Sequence, residues 1–235
     1  MNIDMIKKSF FENYKHFPEI APQNTLIHKI FNGCRIHTRS GIKTLIKILK
    51  PKNILEIGSL HFETTNQMAL SMAELFPADV GKIHSFDIKT GGYDGARQCI
   101  PLSTRIVSHI WIPHKTSYDD WKYKDEEILK TGFADLTNEQ IFEKNLTYLK
   151  SIAPTEGFDL VYIDGDHSFQ GTMYDYQYAK QVINENSFIV VDDIWDNRLH
   201  EVREFFDSLK NDKWDFYEWN IAHKDMVQNM GIFKP

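Results

Sequence analysis

Cysteine is nearly absent: the 235 residues hold only Cys34 and Cys99. Two thiols so placed fit neither a disulfide framework nor the spacing of a thiolate metal site. A reducing, cytoplasmic setting is the default that follows. No apolar run is long enough to span a bilayer, so no membrane is expected as a partner. The opening stretch MNIDMIKKSFFENYKHF carries charge throughout and has no continuous apolar core, which argues against a signal peptide. Basic charge is not in excess either. There are 27 Lys and Arg against 33 Asp and Glu, a formal net charge of −6. Binding nucleic acid needs a basic face, so nucleic acid is not expected as the main partner. No repeat, low-complexity tract or linker breaks the chain. Hydrophobic residues make up 42% and charged residues 26%. A chain of this size and balance buries a real core as one α/β domain. The expected layout is one domain over 1–235, with a helical extension over 1–49.

The stretch that organises the rest is Asn53 to Asn66, NILEIGSLHFETTN. Ile54-Leu55-Glu56-Ile57 is a short apolar run between Pro51 and Gly58, the pattern of a buried parallel strand. Gly58 and Ser59 make the turn. Met68, Ala69, Met72, Ala73 and Phe76 then recur at helical spacing, with Pro77 as the expected stop. Strand, glycine turn and helix form a corner where backbone approaches a ligand closely and helix N–H groups point into the same crevice. A dinucleotide corner would carry G-x-G-x-x-G. Here one glycine is followed by Leu60, His61 and Phe62, and Glu56 would repel a pyrophosphate. The pattern ILEIGS…TT resembles the first motif of class I S-adenosylmethionine-dependent methyltransferases. That resemblance puts Glu56 beside the cationic methionine part of the cofactor, with Gly58 and Ser59 lining the same site. The second glycine usual in that family is replaced here by Leu60 or His61.

Before this corner the chain reads as helical. Ile6, Phe10, Phe11 and Tyr14 share one stripe, Leu26, Ile27, Ile30 and Phe31 another, and Ile42, Leu45, Ile46 and Leu49 a third. These stripes suit packing, a lid over the cofactor or a homodimer face. Asn32 to Gly41, with Arg35, His37, Thr38 and Arg39, reads as a polar insert. After the corner, Lys82 to Ile88 is a second strand ending in Asp87, whose carboxylate can accept from both hydroxyls of a ribose. Thr90 to Ser103 is a glycine-rich loop. Ile106, Val107, Ile110 and Ile112 mark a third strand ended by Pro113. In class I methyltransferases the exit that follows lies near the adenine, which assigns Ser117 to the cofactor. Residues 119–137 read as a charged, aromatic insertion. Asn138 to Ile152 is a helix, with Asn138 and Glu139 favourable at its start.

The chemical centre comes next. Phe158 to Ile163 is a fourth strand that delivers Asp164-Gly165-Asp166-His167-Ser168. Thr172 to Ile183 is a crossover helix. Ser187 to Val191 is a fifth strand that delivers Asp192-Asp193. Adjacent parallel strands thus place carboxylates at one carboxyl edge, where open α/β sheets bind ligands. Carboxylates held close repel unless a cation neutralises them, and hard oxygen ligands suit Mg²⁺. FDLVYIDGDHS…FIVVDDI resembles the metal-dependent O-methyltransferases, particularly the small bacterial enzymes related to sugar and macrolide O-methyltransferases. Carried over by position, the resemblance makes Asp164, Asp192 and Asp193 the ligands of Mg²⁺ or a similar divalent cation. It also puts His167 where catechol enzymes have a lysine base, so Asp164 and His167 are the expected catalytic pair. Leu199 to Leu209 is an amphipathic helix. Trp214 to Trp219 and Gly231 to Phe233 read as a closing antiparallel hairpin.

The fold class expected is therefore α/β, a Rossmann-like seven-stranded methyltransferase sheet with an antiparallel C-terminal strand and N-terminal helices. The function expected is methyl transfer from S-adenosylmethionine to a hydroxyl of a small molecule, assisted by a divalent cation. A nicotinamide-dependent oxidoreductase and a non-catalytic cofactor-binding protein of the same fold are the alternatives.

Overall fold

The computed structural model describes residues 1–15, 36–59, 62–77, 79–88, 104–116, 126–130, 132–196, 200–224 and 228–235. Several expectations lie outside them: Ser117, the stripe at Leu26 to Phe31, the glycine-rich loop from Thr90, most of the charged insertion, and the Leu60-His61 pair. Seven strands form one sheet: β1 (Asn53–Ile57), β2 (Lys82–Asp87), β3 (Ile106–Ile110), β4 (Phe158–Ile163), β5 (Ile183–Val191), β6 (Lys213–Trp214) and β7 (Gly231–Phe233). Their order is β3-β2-β1-β4-β5-β7-β6. β1 to β5 are parallel, and β7 runs antiparallel to both neighbours. The chain steps outwards from β1 to β3, then returns to lay β4 against the other side of β1. The crevice beyond the carboxyl ends of β1 and β4 is thus the switch point where such sheets hold ligands.

Alternation along the strands divides the core in two. Ile54, Leu160, Tyr162, Phe188 and Val190 meet α1 (Ile3–Asn13), α2 (Ile36–Leu49) and α3 (Glu63–Ala73) on one face. Leu55, Ile57, Val161, Ile163, Ile189 and Val191 meet α5 (Asn138–Ile152), α6 (Phe169–Lys180) and α7 (His200–Ser208) on the other. Both faces are covered, which is why β1, β4 and β5 read as near-continuous apolar runs. Two short helices, α4 (Glu126–Leu129) and α8 (Tyr217–Ala222), complete the described elements.

Some boundaries differ from the sequence reading, each for a local reason. The polar insert expected up to Gly41 is already helix from Ile36. α3 ends at Ala73, a turn before Pro77. β5 starts at Ile183, ahead of Ser187, because the Ser187 hydroxyl bonds back to the Phe158 carbonyl and folds the polar 184–186 segment onto β4. α5 is capped by Thr137, not Asn138: Thr137 and Gln140 exchange side-chain and backbone bonds as a capping box. Asn138 instead clamps the backbone of Lys115 through both amide groups.

The stretch Trp214 to Trp219 is the largest departure. Only Lys213–Trp214 is strand, and α8 begins three residues later. Phe216 sits between them in the left-handed region, φ 61°, which ends strand pairing and turns its ring inwards. Phe10 of α1 is fully buried, and its ring centroid lies 5.0–5.3 Å from those of Trp214, Phe216 and Trp219. Edge-on aromatic packing of this kind anchors α1 to the sheet end.

Candidate active site

β1 delivers the first part of the site. Gly58 has φ +88° and its N–H bonds the Phe86 carbonyl at 2.8 Å. A Cβ there would stand 2.0 Å from the Asp164 carbonyl oxygen. Glycine is thus what lets the exits of β1 and β4 pass each other at the switch point. Ser59 follows, its N–H donating to Asp87 Oδ2 at 2.9 Å. Asp87, at the end of β2, therefore fixes the glycine turn from the neighbouring strand.

Glu56 is wholly buried. Its Oε2 accepts from Thr65 at 2.5 Å and from Ser85 at 2.6 Å. Its Oε1 has no hydrogen-bond partner among the described residues, and neither has the buried Ser59 hydroxyl. Burial pushes the Glu56 carboxyl up to about 8, the Ser85 and Thr65 bonds pull against this, and Asp164 and Asp87 add repulsion. A buried acid with one free oxygen and a raised pKa is a site short of a positive charge. The ammonium and sulfonium of S-adenosylmethionine carry that charge, so the residues present fit that cofactor.

β4 and β5 deliver the second part. The Asp164 N–H bonds the Ile57 carbonyl, and the Asp192 N–H bonds the Ile163 carbonyl, so the two exits extend the sheet in step. Asp192 is turned inwards. Its Oδ2 accepts from the Tyr162 hydroxyl at 2.6 Å and its Oδ1 from the Asp193 N–H at 2.9 Å. Burial and the charges of Asp164 and Asp193 push its carboxyl well above the usual range, against the pull of those two bonds. Asp193 has left-handed backbone, φ 58°, a conformation Asp tolerates better than most residues.

Asp166 orders the loop between the two carboxylate groups. It accepts from Thr116, from the Ser168 N–H and from the Ser168 hydroxyl, and Ser168 in turn caps α6. His167 is left facing the crevice. Its Nε2 lies 3.3 Å from Asp164 Oδ1 and 3.8 Å from Asp193 Oδ2. Burial alone would lower its pKa, but the Asp164 hydrogen bond and the charges of Asp164, Asp193 and Asp192 outweigh it and raise it.

One ligand atom from each of Asp164, His167 and Asp193 lies within 4.8 Å of the others. Donors around a single cation, with bonds of about 2.1 Å, stand roughly 3 Å apart. Asp164 and Asp193 can thus hold a divalent cation after a small contraction, with the His167 ring beside it. The sequence-expected ligands are placed unequally. Asp164 and Asp193 face the common space, whereas both oxygens of Asp192 accept bonds from Tyr162 and the Asp193 N–H. Ser117 is outside the described residues.

Sequence reading missed Thr65, Ser85, Tyr162 and Asn229. Thr65 stands inside the ILEIGS…TT pattern with no role assigned to it there, and Ser85 lies within the neighbouring strand β2, where a lone hydroxyl carries no motif. Tyr162 reads as one more apolar position of β4. Asn229 donates its side-chain N–H to Asp193 Oδ1 from 36 residues away, a contact with no local signature.

Among solved structures, an O-methyltransferase from Bacillus cereus in complex with SAH is similar at 16% identity, covering 97% of this chain and 98% of that one, TM-score 0.56. The SAH-bound methyltransferase PaMTH1 of Podospora anserina is similar at 11% identity, covering 98% and 94%, TM-score 0.57. The O-methyltransferase TomG of Streptomyces achromogenes, involved in tomaymycin synthesis and in complex with SAM, is similar at 14% identity, covering 81% and 79%, TM-score 0.53. At these identities the likeness is one of fold. No curated protein matches the chain by sequence. Residues 55–194, more than half of the chain, match the family described as "Methyltransferase domain". Those bounds run from β1, through the glycine turn and both groups of carboxylates, to the residue after Asp193. With the class I sheet order around them, the chain belongs to this methyltransferase family.

Proposed function

We propose that this protein transfers a methyl group from S-adenosylmethionine to a hydroxyl of a small molecule, with a divalent cation, Mg²⁺ or one like it, at the ends of β4 and β5. The observation that carries the reading is the gathering of Asp164, His167 and Asp193 within 4.8 Å, next to a glycine turn backed by a charge-deficient Glu56. When bound, the cofactor supplies an electrophilic methyl on sulfur, and the cation supplies positive charge that makes a hydroxyl more acidic. The rest falls to the chain. Glu56 offers its free oxygen to the amino group of the cofactor. Asp87 and Ser59 hold the ribose side of the turn. Asp164 and Asp193 would hold the cation, with Asp192 one hydrogen bond behind Asp193, and a cation so held would draw an acceptor hydroxyl towards the cofactor.

His167 receives the acceptor's proton. Its raised pKa reflects carboxylates whose charge is uncompensated, and a cation between them reverses that effect. Nε2 is then a neutral acceptor beside the reacting oxygen. The cofactor's sulfonium would supply its own leaving group, so the chain has only the acceptor's proton to receive, at His167 Nε2. A nicotinamide reading is disfavoured by the single glycine and by Glu56. The expected partner is a small hydroxylated acceptor, with neither nucleic acid nor membrane. No helix among the described residues is long and apolar enough to cross a membrane.

The test is a methyl-transfer screen over hydroxylated metabolites, run with Mg²⁺ and with excess chelator, beside calorimetric titration of the cofactor. Cation-dependent transfer is expected. Asp164→Asn should abolish it while cofactor affinity stays within a few-fold. Full transfer in chelator would remove the cation from the mechanism. Failure to bind S-adenosylmethionine, with tight binding of NAD, would overturn the reading altogether.

A further inference from the structure

Asn229 lies in the segment that leads into β7, far in sequence from every acidic residue of the site. It is 4% exposed. Its amide makes two bonds across the end of β5: Nδ2 donates to Asp193 Oδ1, and Oδ1 accepts from the Trp195 N–H at 3.1 Å. A carboxylate only accepts and a backbone N–H only donates, so the two bonds fix which way the amide faces. The backbone here is held as firmly. The Asn229 carbonyl accepts from the Ile194 N–H at 2.9 Å. The preceding residue, Gln228, is clamped by Asn220 of α8, whose side chain accepts from its N–H at 2.7 Å and donates to its carbonyl at 3.1 Å.

Asp193 needs such a partner. It sits in left-handed backbone at the mouth of the crevice, and Asp164 and Asp192 both repel its charge. With Oδ1 held by Asn229, Oδ2 is the oxygen that faces His167. We propose that Asn229 is a positioning residue of the cation site: its amide donor orients the Asp193 carboxylate and reserves one oxygen for the cation. This rests on the cation reading above and assigns a role to a residue outside the stretch 55–194 that carries the family match. Partners one bond behind metal ligands typically change metal affinity 10–100-fold when removed.

The test uses the full chain and Mn²⁺ alone, with binding followed by loss of the free-ion electron paramagnetic resonance signal. Two variants separate positioning from support of the turn. Asn229→Ala removes both side-chain bonds. Asn229→Asp keeps the acceptor for the Trp195 N–H and replaces the donor to Asp193 by a second carboxylate oxygen. Both should bind Mn²⁺ at least tenfold more weakly than the parent, with S-adenosylmethionine affinity within twofold and a cooperative melt retained. The aspartate variant is the sharper probe, because its added negative charge alone would tighten binding of a cation. Parent-like or tighter Mn²⁺ binding by Asn229→Asp overturns the positioning role. No Mn²⁺ binding by the parent chain overturns the cation reading and this proposal with it.

Discussion

Glu56 shows what one residue can report. Its carboxyl is raised to about 8 in the folded protein, mainly by burial, whereas in the unfolded chain it titrates near an ordinary glutamate. The folded state therefore holds this proton more tightly. The stability it contributes is full below the unfolded pKa and is lost as pH rises through the folded one. Between pH 5 and 8 the ligand-free protein should lose on the order of a few kcal/mol from this group. Glu56→Gln should flatten that slope, as read by calorimetric unfolding at several pH values. Saturating S-adenosylmethionine should flatten it as well, because an ammonium at Oε1 favours the charged carboxylate. An unchanged slope in Glu56→Gln would mean that the acid is not the group responsible.

At the scale of elements, the contact between the exits of β1 and β4 depends on a missing side chain. Gly58→Ala would drive a Cβ into the Asp164 backbone at φ +88°. Gly132 also has positive φ, +71°, yet nothing among the described residues lies within 4 Å of where its Cβ would stand. Gly132→Ala should cost only the backbone penalty, about 1 kcal/mol. Gly58→Ala should cost roughly 3 kcal/mol or more, because backbone must move, and should lose cofactor affinity too. Denaturant titration of the two variants side by side decides it; equal losses would show that the strands give way freely at the switch point.

The same elements show how far sequence reaches. β1, β4 and β5 and their acidic exits were legible because a strand buried on both faces leaves a run of aliphatic residues, and a turn glycine punctuates it. The run Trp214 to Trp219 was not. Six residues rich in aromatics satisfy a strand pattern equally well, and only packing against Phe10 selects the left-handed break at Phe216. The candidate site divides the same way. Its acids and His167 stand in two short blocks. Which oxygen of which aspartate faces the crevice is decided by Tyr162 and Asn229, whose contacts span 30 and 36 residues.

For the molecule as a whole, the strand order matters most at β5. Its outer edge is covered not by the next element in the chain but by β7, which pairs through Gly231, Ile232 and Phe233 after α7, β6 and α8 have intervened. The partners Ile189 and Phe233 of this pairing stand farther apart in sequence than Leu160 and Phe188 of the β4–β5 pair, and pairing across a longer separation forms later. During refolding, amide protection between β4 and β5 should therefore precede protection of Ile232 and Phe233 in pulsed hydrogen exchange. Simultaneous protection would contradict that order. For a protein being synthesised, the ordering has a further consequence. Until β7 is inserted, the β5 edge is open to other chains, a known hazard of unpaired strands. The residue that steadies Asp193 enters with that same strand. An incomplete chain can already hold the glycine turn and all three aspartates, yet it lacks the amide that points the last of them. Competence to hold a cation would then arrive together with closure of the sheet, so a nascent molecule acquires its chemistry in the step that removes its most adhesive edge.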